Sequence, residues 1–122
     1  MGKTILIVDD SASLRQIVTI ALKGAGYETL EASDGKDALT KLDGRKINLI
    51  ISDVNMPNLD GIGLLKAIKL NPRYKFTPVI MLTTEAGEAR KKEGQEAGAK
   101  AWVVKPFQPA QMLAAVSKLV AP

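Results

Sequence analysis

The chain has 122 residues, of which 46% are hydrophobic and 25% are charged, and its formal net charge is +4. This length and composition are typical of one globular domain, and we expect a single domain over residues 1–122. The absence of cysteine and histidine excludes disulfides, thiolate catalysis and imidazole general bases. The basic residues are scattered, and no apolar run approaches the ~20 residues of a membrane span. We therefore expect a cytoplasmic protein that binds neither nucleic acid nor membrane.

The first apolar segment, residues 4–8 (TILIV), predicts a strand, and two adjacent aspartates, Asp9 and Asp10, follow it directly. Neighbouring carboxylates repel each other and resist burial, so this pair needs an explanation beyond packing. A helix is expected to begin at Ser11 or Ser13, because serine is a favoured N-cap, and to end at the glycines of residues 24–26. Four apolar residues with helical spacing form its expected buried face: Leu14, Ile17, Val18 and Ala21.

The rest of the chain continues the alternation of strand and helix. The patterns predict strands over residues 27–31, 47–52, 78–82 and 100–104, and helices over residues 34–42, 62–70, 86–97 and 108–120. The expected inward residues are Leu64, Leu65 and Ile68 in the third helix, and Met112, Leu113, Val116 and Leu119 in the last. Gly87 and Gly94 interrupt the helix over residues 86–97, so we expect it to be the least stable one.

Five strands that alternate with five helices predict an α/β fold, a doubly wound (βα)5 arrangement with a parallel sheet. In such sheets the ligand site lies outside the carboxyl ends of the strands. The residues that follow the apolar strands are therefore site candidates: Asp9, Asp10, Asp53, Thr83, Thr84 and Lys105. Clustered carboxylates favour a hard divalent cation such as Mg²⁺. With a phosphate group, a carboxylate can act as the nucleophile, and lysine and threonine can hold phosphoryl oxygens.

Four segments, VDDS, SDVNMPNLDG, MLTTEAG and VVKPF, occur in this order at the predicted strand ends. Together they resemble the receiver domain of bacterial two-component response regulators. The likeness is greatest to the stand-alone, CheY-like receivers, since we expect nothing to follow the fifth helix. The resemblance covers essentially the whole chain, and it implies a flavodoxin-like, CheY-like fold with five parallel strands in the order 2-1-3-4-5.

The resemblance assigns roles to the acidic residues. It implies that Asp53 accepts a phosphoryl group from a histidine kinase. It also implies that Asp10 binds Mg²⁺ directly and Asp9 binds it through water. Asp53 and the backbone carbonyl of Asn55 are the further metal ligands that it implies. The side chains of Asn55 and Glu85 are expected to tune dephosphorylation, because polar groups at these positions can admit or orient water.

The resemblance also assigns the residues that sense the phosphoryl group. Thr83 corresponds to a hydroxyl that acts as a switch, and Lys105 corresponds to a lysine that contacts the phosphoryl group. The Lys105-Pro106 peptide bond corresponds to one that is cis in the family. Trp102 stands where the family usually has a tyrosine that turns inward or outward with phosphorylation. Tryptophan is bulkier than tyrosine, so two interpretations stay open: Trp102 turns with phosphorylation, or it only covers part of the fifth strand.

We expect the signal to leave through the face formed by helix 4, strand 5 and helix 5. The residues expected to shape this output face are Arg90, Lys91, Lys92, Lys100 and Trp102, and their positive charge suggests acidic partners. The chain is expected to be a monomer and not an enzyme, and chemotaxis or motility is its expected setting.

Two alternatives stay open. One is a receiver that acts as a phosphate sink outside chemotaxis. The other is a Mg²⁺-dependent phosphohydrolase that forms an aspartyl phosphate. The Asp-x-Asp motif of haloacid dehalogenases is missing, since Ser11 and Ala12 occupy the second positions after Asp9 and Asp10.

Overall fold

The computed structural model describes residues 2–83 and 88–122, and for residues 88–90 it describes the backbone. Five parallel strands form one sheet in the order β2-β1-β3-β4-β5. The strands are β1 (Thr4–Val8), β2 (Glu28–Ala32), β3 (Leu49–Asp53), β4 (Val79–Thr83) and β5 (Ala101–Val104). The helices are α1 (Ala12–Gly24), α2 (Gly35–Lys41), α3 (Gly61–Leu70), α4 (Glu88–Glu96) and α5 (Pro109–Leu119). The predicted (βα)5 fold and strand order are confirmed.

Helices cover both faces of the sheet and create two hydrophobic cores. Helices α1 and α5 contact each other on one face, while α2, α3 and α4 follow one another on the opposite face. Successive strand residues point to opposite faces, so β1 sends Ile5 and Ile7 to the first core and Leu6 and Val8 to the second. Strands β3 and β4 are buried along their whole length. Their continuous apolar sequences reflect this burial on both faces.

The predicted element boundaries agree with the observed ones to within two residues. The side chain of Ser11 caps α1 and accepts a hydrogen bond from the backbone N–H of Leu14 at 3.3 Å. The first two residues of the predicted helix over residues 86–97 lie outside the described part of the chain. In the described part, none of the helices combines the length and the apolar character needed to cross a lipid bilayer.

The predicted buried face of α1 is wrong at one residue, Ile17, whereas Val18 is buried and Leu14 packs against the core as expected. Ile17 was expected to be buried in α1, yet 52% of it is exposed, and the residues that α1 buries are Val18, Thr19 and Leu22. Apolar residues occur around much of this helix, so two neighbouring stripes both satisfy helical spacing. Packing against β1 and α5 selects the stripe through Val18 and Leu22, which is rotated away from Ile17.

Candidate functional site

The carboxyl ends of the strands bring the predicted acidic residues together. Asp9 and Asp10 follow β1, and Asp53 is the last residue of the adjacent strand β3. Each of these three aspartates offers a carboxylate oxygen, and the three oxygens lie within 4.8 Å of one another. The Nζ atom of Lys105 lies 3.0 Å from Oδ2 of Asp9 and 3.4 Å from Oδ2 of Asp53. The site is thus a carboxylate cluster with a lysine ammonium at its edge.

Asp9 is buried, with 1% of its surface exposed, and both of its carboxylate oxygens are engaged. The backbone N–H of Ser11 donates to Oδ1 at 2.9 Å, and the ammonium of Lys105 donates to Oδ2 at 3.0 Å. A buried carboxylate requires such compensation for its lost hydration. With its oxygens already occupied, Asp9 is better suited to orient a metal-bound water than to give up a partner for the metal.

Asp10 has the opposite environment. It is exposed, and its carboxylate has no hydrogen-bond or ion-pair partner among the residues that the structure describes. Its lone pairs are therefore available to a cation that enters from solvent. This division between Asp9 and Asp10 agrees with the roles that the resemblance implies for them.

Asp53 is 7% exposed at the end of β3, and its carboxylate is close to charges of both signs. Burial raises the pKa of the Asp53 carboxyl above its ordinary value, and the negative charge of Asp9 adds to this shift. The Lys105 ammonium and the backbone N–H of Asn55 act in the opposite direction, because each donates a hydrogen bond to the carboxylate. Asp53 is thus a partly desolvated carboxylate beside one positive charge, an environment suited to a nucleophile.

The two phosphoryl-sensing residues predicted from the sequence lie at the carboxyl ends of neighbouring strands, Thr83 as the last residue of β4 and Lys105 directly after β5. Thr83 ends β4 and is fully buried, and the backbone N–H of Lys105 donates to its carbonyl at 2.7 Å. The Lys105-Pro106 peptide bond is cis, as the resemblance implies.

Of the two residues expected to tune dephosphorylation, Asn55 lies two positions after Asp53 and is exposed. Glu85 lies outside the described residues, so its predicted effect on dephosphorylation stays a prediction.

Trp102 lies on β5 with its indole directed toward α4. It is partly buried and packs against the core on the α3 side of the sheet. A Cβ atom built on Gly94 would lie 2.6 Å from Cζ3 of the indole, so the ring occupies space that only a glycine leaves open. The indole Nε1 is buried and has no hydrogen-bond partner in the described part of the chain. Trp102 therefore does more than cover β5, because it fills a space shared with α4.

A cleft of about 200 Å³ adjoins Trp102 on the output face. Its lining includes Lys91, Gln95 and Lys100, so three of the residues predicted for this face, Lys91, Lys100 and Trp102, lie together. Lys92 is exposed on α4, and the side chain of Arg90 lies outside the described residues.

Three further residues support the site; sequence reasoning missed Ser52 and Arg15, whereas Gly61 is expected from the sequence to shape the loop beside Asp53. The buried hydroxyl of Ser52 donates to the carbonyl of Asp53 at 2.9 Å. The guanidinium of Arg15 donates to the carbonyl of Asp9, and its Nε donates to Glu31 at 3.1 Å. Gly61 lies against the carbonyl of Asp53, where a Cβ atom would also meet Cε of Met81 at 2.7 Å. A hydroxyl inside an otherwise apolar strand was the available signal for Ser52.

The donor set fits Mg²⁺, the ion that receiver domains bind at an acidic pocket. Carboxylate oxygens without sulfur or imidazole ligands are typical of hard cations, and Mg²⁺ usually takes one or two protein carboxylates and keeps several waters. Open access from Asp10 and a buried Asp9 held by Lys105 satisfy that pattern. Asp10 and Asp53 would hold the ion, which would neutralise charge on a transferring phosphoryl group.

Comparison with known proteins identifies the family. The family model of the response regulator receiver domain matches residues 5–117. The chain is 41% identical over 107 residues to the chemotaxis protein CheY1 of Helicobacter pylori, with 86% of each protein covered. It is also 41% identical over 114 residues to the phosphate regulon transcriptional regulatory protein PhoB of Pseudomonas aeruginosa. That match covers 93% of this chain and 50% of PhoB, so the chain spans half the length of that relative.

Solved structures agree with this assignment. The structure of the Vibrio cholerae chemotaxis protein CheY4 superimposes with a TM-score of 0.93 at 44% identity, and the match covers 98% of this chain and all of CheY4. A putative response regulator from Chloroflexus aurantiacus superimposes with the same TM-score at 34% identity, and the match covers both chains completely. The acidic cluster, the lysine beside it and these matches show that the chain belongs to the response regulator receiver domain family.

Proposed function

We propose that this chain is a phosphorylation-activated signalling switch in which Asp53 accepts a phosphoryl group from a histidine kinase in the presence of Mg²⁺. One observation carries the proposal. Three carboxylates whose oxygens lie within 4.8 Å share one strand-end edge with a lysine ammonium, which is 3.4 Å from the central carboxylate. This arrangement supplies a nucleophile, oxygen ligands for a cation and a cation for the phosphoryl oxygens.

The proposed transfer uses groups already in place. An oxygen of the Asp53 carboxylate attacks phosphorus, a P–O bond forms and the P–N bond to the donor imidazole breaks. The product is an acyl phosphate on Asp53, and the electron pair of the broken bond stays with the imidazole nitrogen. No general base is needed, because the nucleophile is a carboxylate and not a hydroxyl. In this proposal the ammonium of Lys105 pairs with one phosphoryl oxygen, and the hydroxyl of Thr83 donates to another.

We expect the signal to pass from the phosphoryl group to the output face through Thr83. A phosphoryl group adds nearly two negative charges and strong hydrogen-bond acceptors. Drawing Thr83 toward it would displace the chain that leads into α4. This helix has one apolar side chain, Ala89, among residues Glu88–Glu96, and it packs around the Trp102 indole at Gly94. We expect phosphorylation to shift the position of Trp102 and of the lysines that line the adjoining cleft.

The setting that we propose is chemotaxis or motility in the cytoplasm, because two relatives, CheY1 and CheY4, are named chemotaxis proteins. The chain would act as a monomer and would promote only its own phosphorylation and dephosphorylation, with an acidic protein as the downstream target. The phosphoryl group should be lost within minutes in Mg²⁺, and a lifetime of hours would contradict this expectation.

The test is incubation of the chain with acetyl phosphate and Mg²⁺, followed by measurement of the intact mass. We expect the mass of one phosphoryl group to be added, and we expect this addition to disappear in Asp53→Asn or in a chelator. Asp43→Asn is the matched control, because Asp43 is an exposed aspartate whose partner is Arg45. Repeated turnover of a phosphomonoester would instead support the phosphohydrolase.

A further inference from the structure

One segment carries the whole excess of positive charge. Residues 61–84 contain Lys66, Lys69, Arg73 and Lys75 and no acidic residue, whereas the rest of the chain has 13 basic and 13 acidic residues. The segment comprises α3, the following turn and β4. Its cations therefore have no acidic partner close in sequence. The described residues also form no ion pair with Lys69, Arg73 or Lys75.

The same turn exposes two large apolar side chains. Leu70 is 84% exposed and Phe76 is 86% exposed, the largest values among the large hydrophobic residues that the structure describes. The ammonium of Lys75 lies 5.1 Å from the centroid of the Phe76 ring, a weak cation–π contact that leaves most of the ring in water. Removing the exposed Phe76 ring from water would stabilise a complex, and this requires a partner that covers the ring.

The turn is held in place by buried and backbone interactions. Tyr74 is buried, and its hydroxyl accepts from the N–H of Gly44 at 2.9 Å and donates to the carbonyl of Arg45 at 2.7 Å. The ammonium of Lys69 donates to the carbonyl of Lys75 at 3.2 Å and lies 3.4 Å from the carbonyl of Thr77. A fixed turn loses little conformational entropy when a partner binds.

The turn lies at the opposite end of the sheet from the phosphoryl-acceptor site. The turn precedes β4, and Thr83 is the last residue of that strand. The five residues of β4 therefore place the turn about 16 Å from the end of the strand at which the acidic cluster lies. Lys100 precedes β5 at the same end; burial lowers the pKa of Lys69, and the charge of Lys100 adds to this shift. The positive field at this end of the sheet thus extends beyond the turn.

We propose that the basic turn, defined as Lys69, Leu70, Arg73, Lys75 and Phe76, docks an acidic protein segment that carries a large apolar side chain. Charge complementarity selects the acidic partner, and the exposed Phe76 selects the apolar anchor. Two apolar side chains are too few for the long apolar face with which proteins lie on a membrane. One aromatic ring is also too few for the stacked platform that binds single-stranded nucleic acid. This surface is independent of phosphorylation at Asp53.

The test is an NMR titration of the full chain, labelled with ¹⁵N, with a short synthetic peptide, EDEFEELDE. The control peptide, EDEAEEADE, has the same charge but lacks both large apolar residues. We expect shift changes at residues 69–76 that saturate with the first peptide. The control peptide should bind at least about fivefold more weakly, because the cost of an unfilled apolar contact is of the order of one power of ten in affinity.

Matched variants locate the surface. Phe76→Ser should weaken binding about tenfold, while Leu39→Ser, at another exposed leucine, should leave it unchanged. Lys75→Glu should weaken binding, whereas Lys118→Glu on α5 should not. The measurements are repeated on Asp53→Asn, in which binding should persist. Equal binding of both peptides, shifts confined to the cleft at Lys91 and Trp102, or Phe76-dependent binding of phosphatidylglycerol vesicles or oligo-dT but not of the peptide would overturn the proposal.

Discussion

Lys105→Met tests the electrostatic balance of the acidic cluster. The Lys105 ammonium is 3.0 Å from Asp9 and 3.4 Å from Asp53, and 17% of its side chain is exposed. It therefore neutralises part of the negative charge before any metal arrives. A methionine of similar length preserves most of the packing but removes the charge. We expect this variant to bind Mg²⁺ more tightly than the natural chain, because no fixed cation then repels the ion.

The size of the effect follows from Coulomb's law. At the shorter distance, a unit charge pair contributes about 1.4 kcal/mol in bulk water and about 5 kcal/mol at the effective dielectric constant of a partly buried site. Even the smaller value is worth about tenfold in a binding constant. We therefore expect Mg²⁺ affinity to rise by about tenfold or more in Lys105→Met. In a chelator the same variant should be less stable, because Asp9 then remains buried without its cation.

Calorimetric titration with Mg²⁺ measures the first effect, and melting temperatures with and without Mg²⁺ measure the second. Lys118→Met is the matched control, because Lys118 is an exposed lysine in α5, away from the acidic cluster. The expected signature is a lower melting temperature in chelator together with a larger rise on adding Mg²⁺. Equal or weaker Mg²⁺ binding by Lys105→Met would refute the idea that the ammonium and the metal compete for the same carboxylates.

Three further predictions concern Asp53 and two glycines. In chelator, Asp53→Asn should be more stable than the natural chain at neutral pH. Burial raises the native pKa of Asp53 above its unfolded value, so the ionised carboxylate destabilises the native state at neutral pH; this destabilisation, and with it the advantage of asparagine, should shrink as the pH falls toward about 4 in denaturant titrations. Gly61→Ala should lose at least about 2 kcal/mol of stability, because its Cβ atom would meet the carbonyl of Asp53, whereas Gly24→Ala has open space and should lose none. Gly94→Ala should displace the indole of Trp102, the sole tryptophan, so its emission should shift to the red with stronger acrylamide quenching; an unchanged spectrum would show that α4 moves instead.

The fold was predictable because its pattern is local. Apolar strands that alternate with helices are typical of a covered parallel sheet, and the carboxyl ends of its strands meet at one edge, where Asp53 and the Asp9 pair lie. The exposure of Ile17 in α1 was not predictable, because Ile17 and Val18 both satisfy helical spacing. Only the packing of the helix against the sheet distinguishes them.

The site was predictable in its residues and less so in their connections. Asp53 and Lys105 are marked by the strands that precede them, so their convergence followed from topology. The hydrogen bond from Lys105 to Asp9 joins residues 96 positions apart in the sequence, and no local sequence pattern indicates it. The same is true of the contact between Gly94 and Trp102, because a glycine that interrupts a helix does not indicate which ring occupies its space.

The charge distribution makes the molecule an electric dipole along its strands. Carboxylates cluster at one end of the sheet and the cations of the basic turn lie at the other. Such a molecule turns in the field of an anionic surface before it touches it, with the Phe76 end leading and Asp53 facing the solution. Phosphorylation adds negative charge to the trailing end and increases the dipole moment. In the proposed switch, phosphorylation would therefore also sharpen this orientation, most strongly at low ionic strength, where the screening length exceeds about 10 Å.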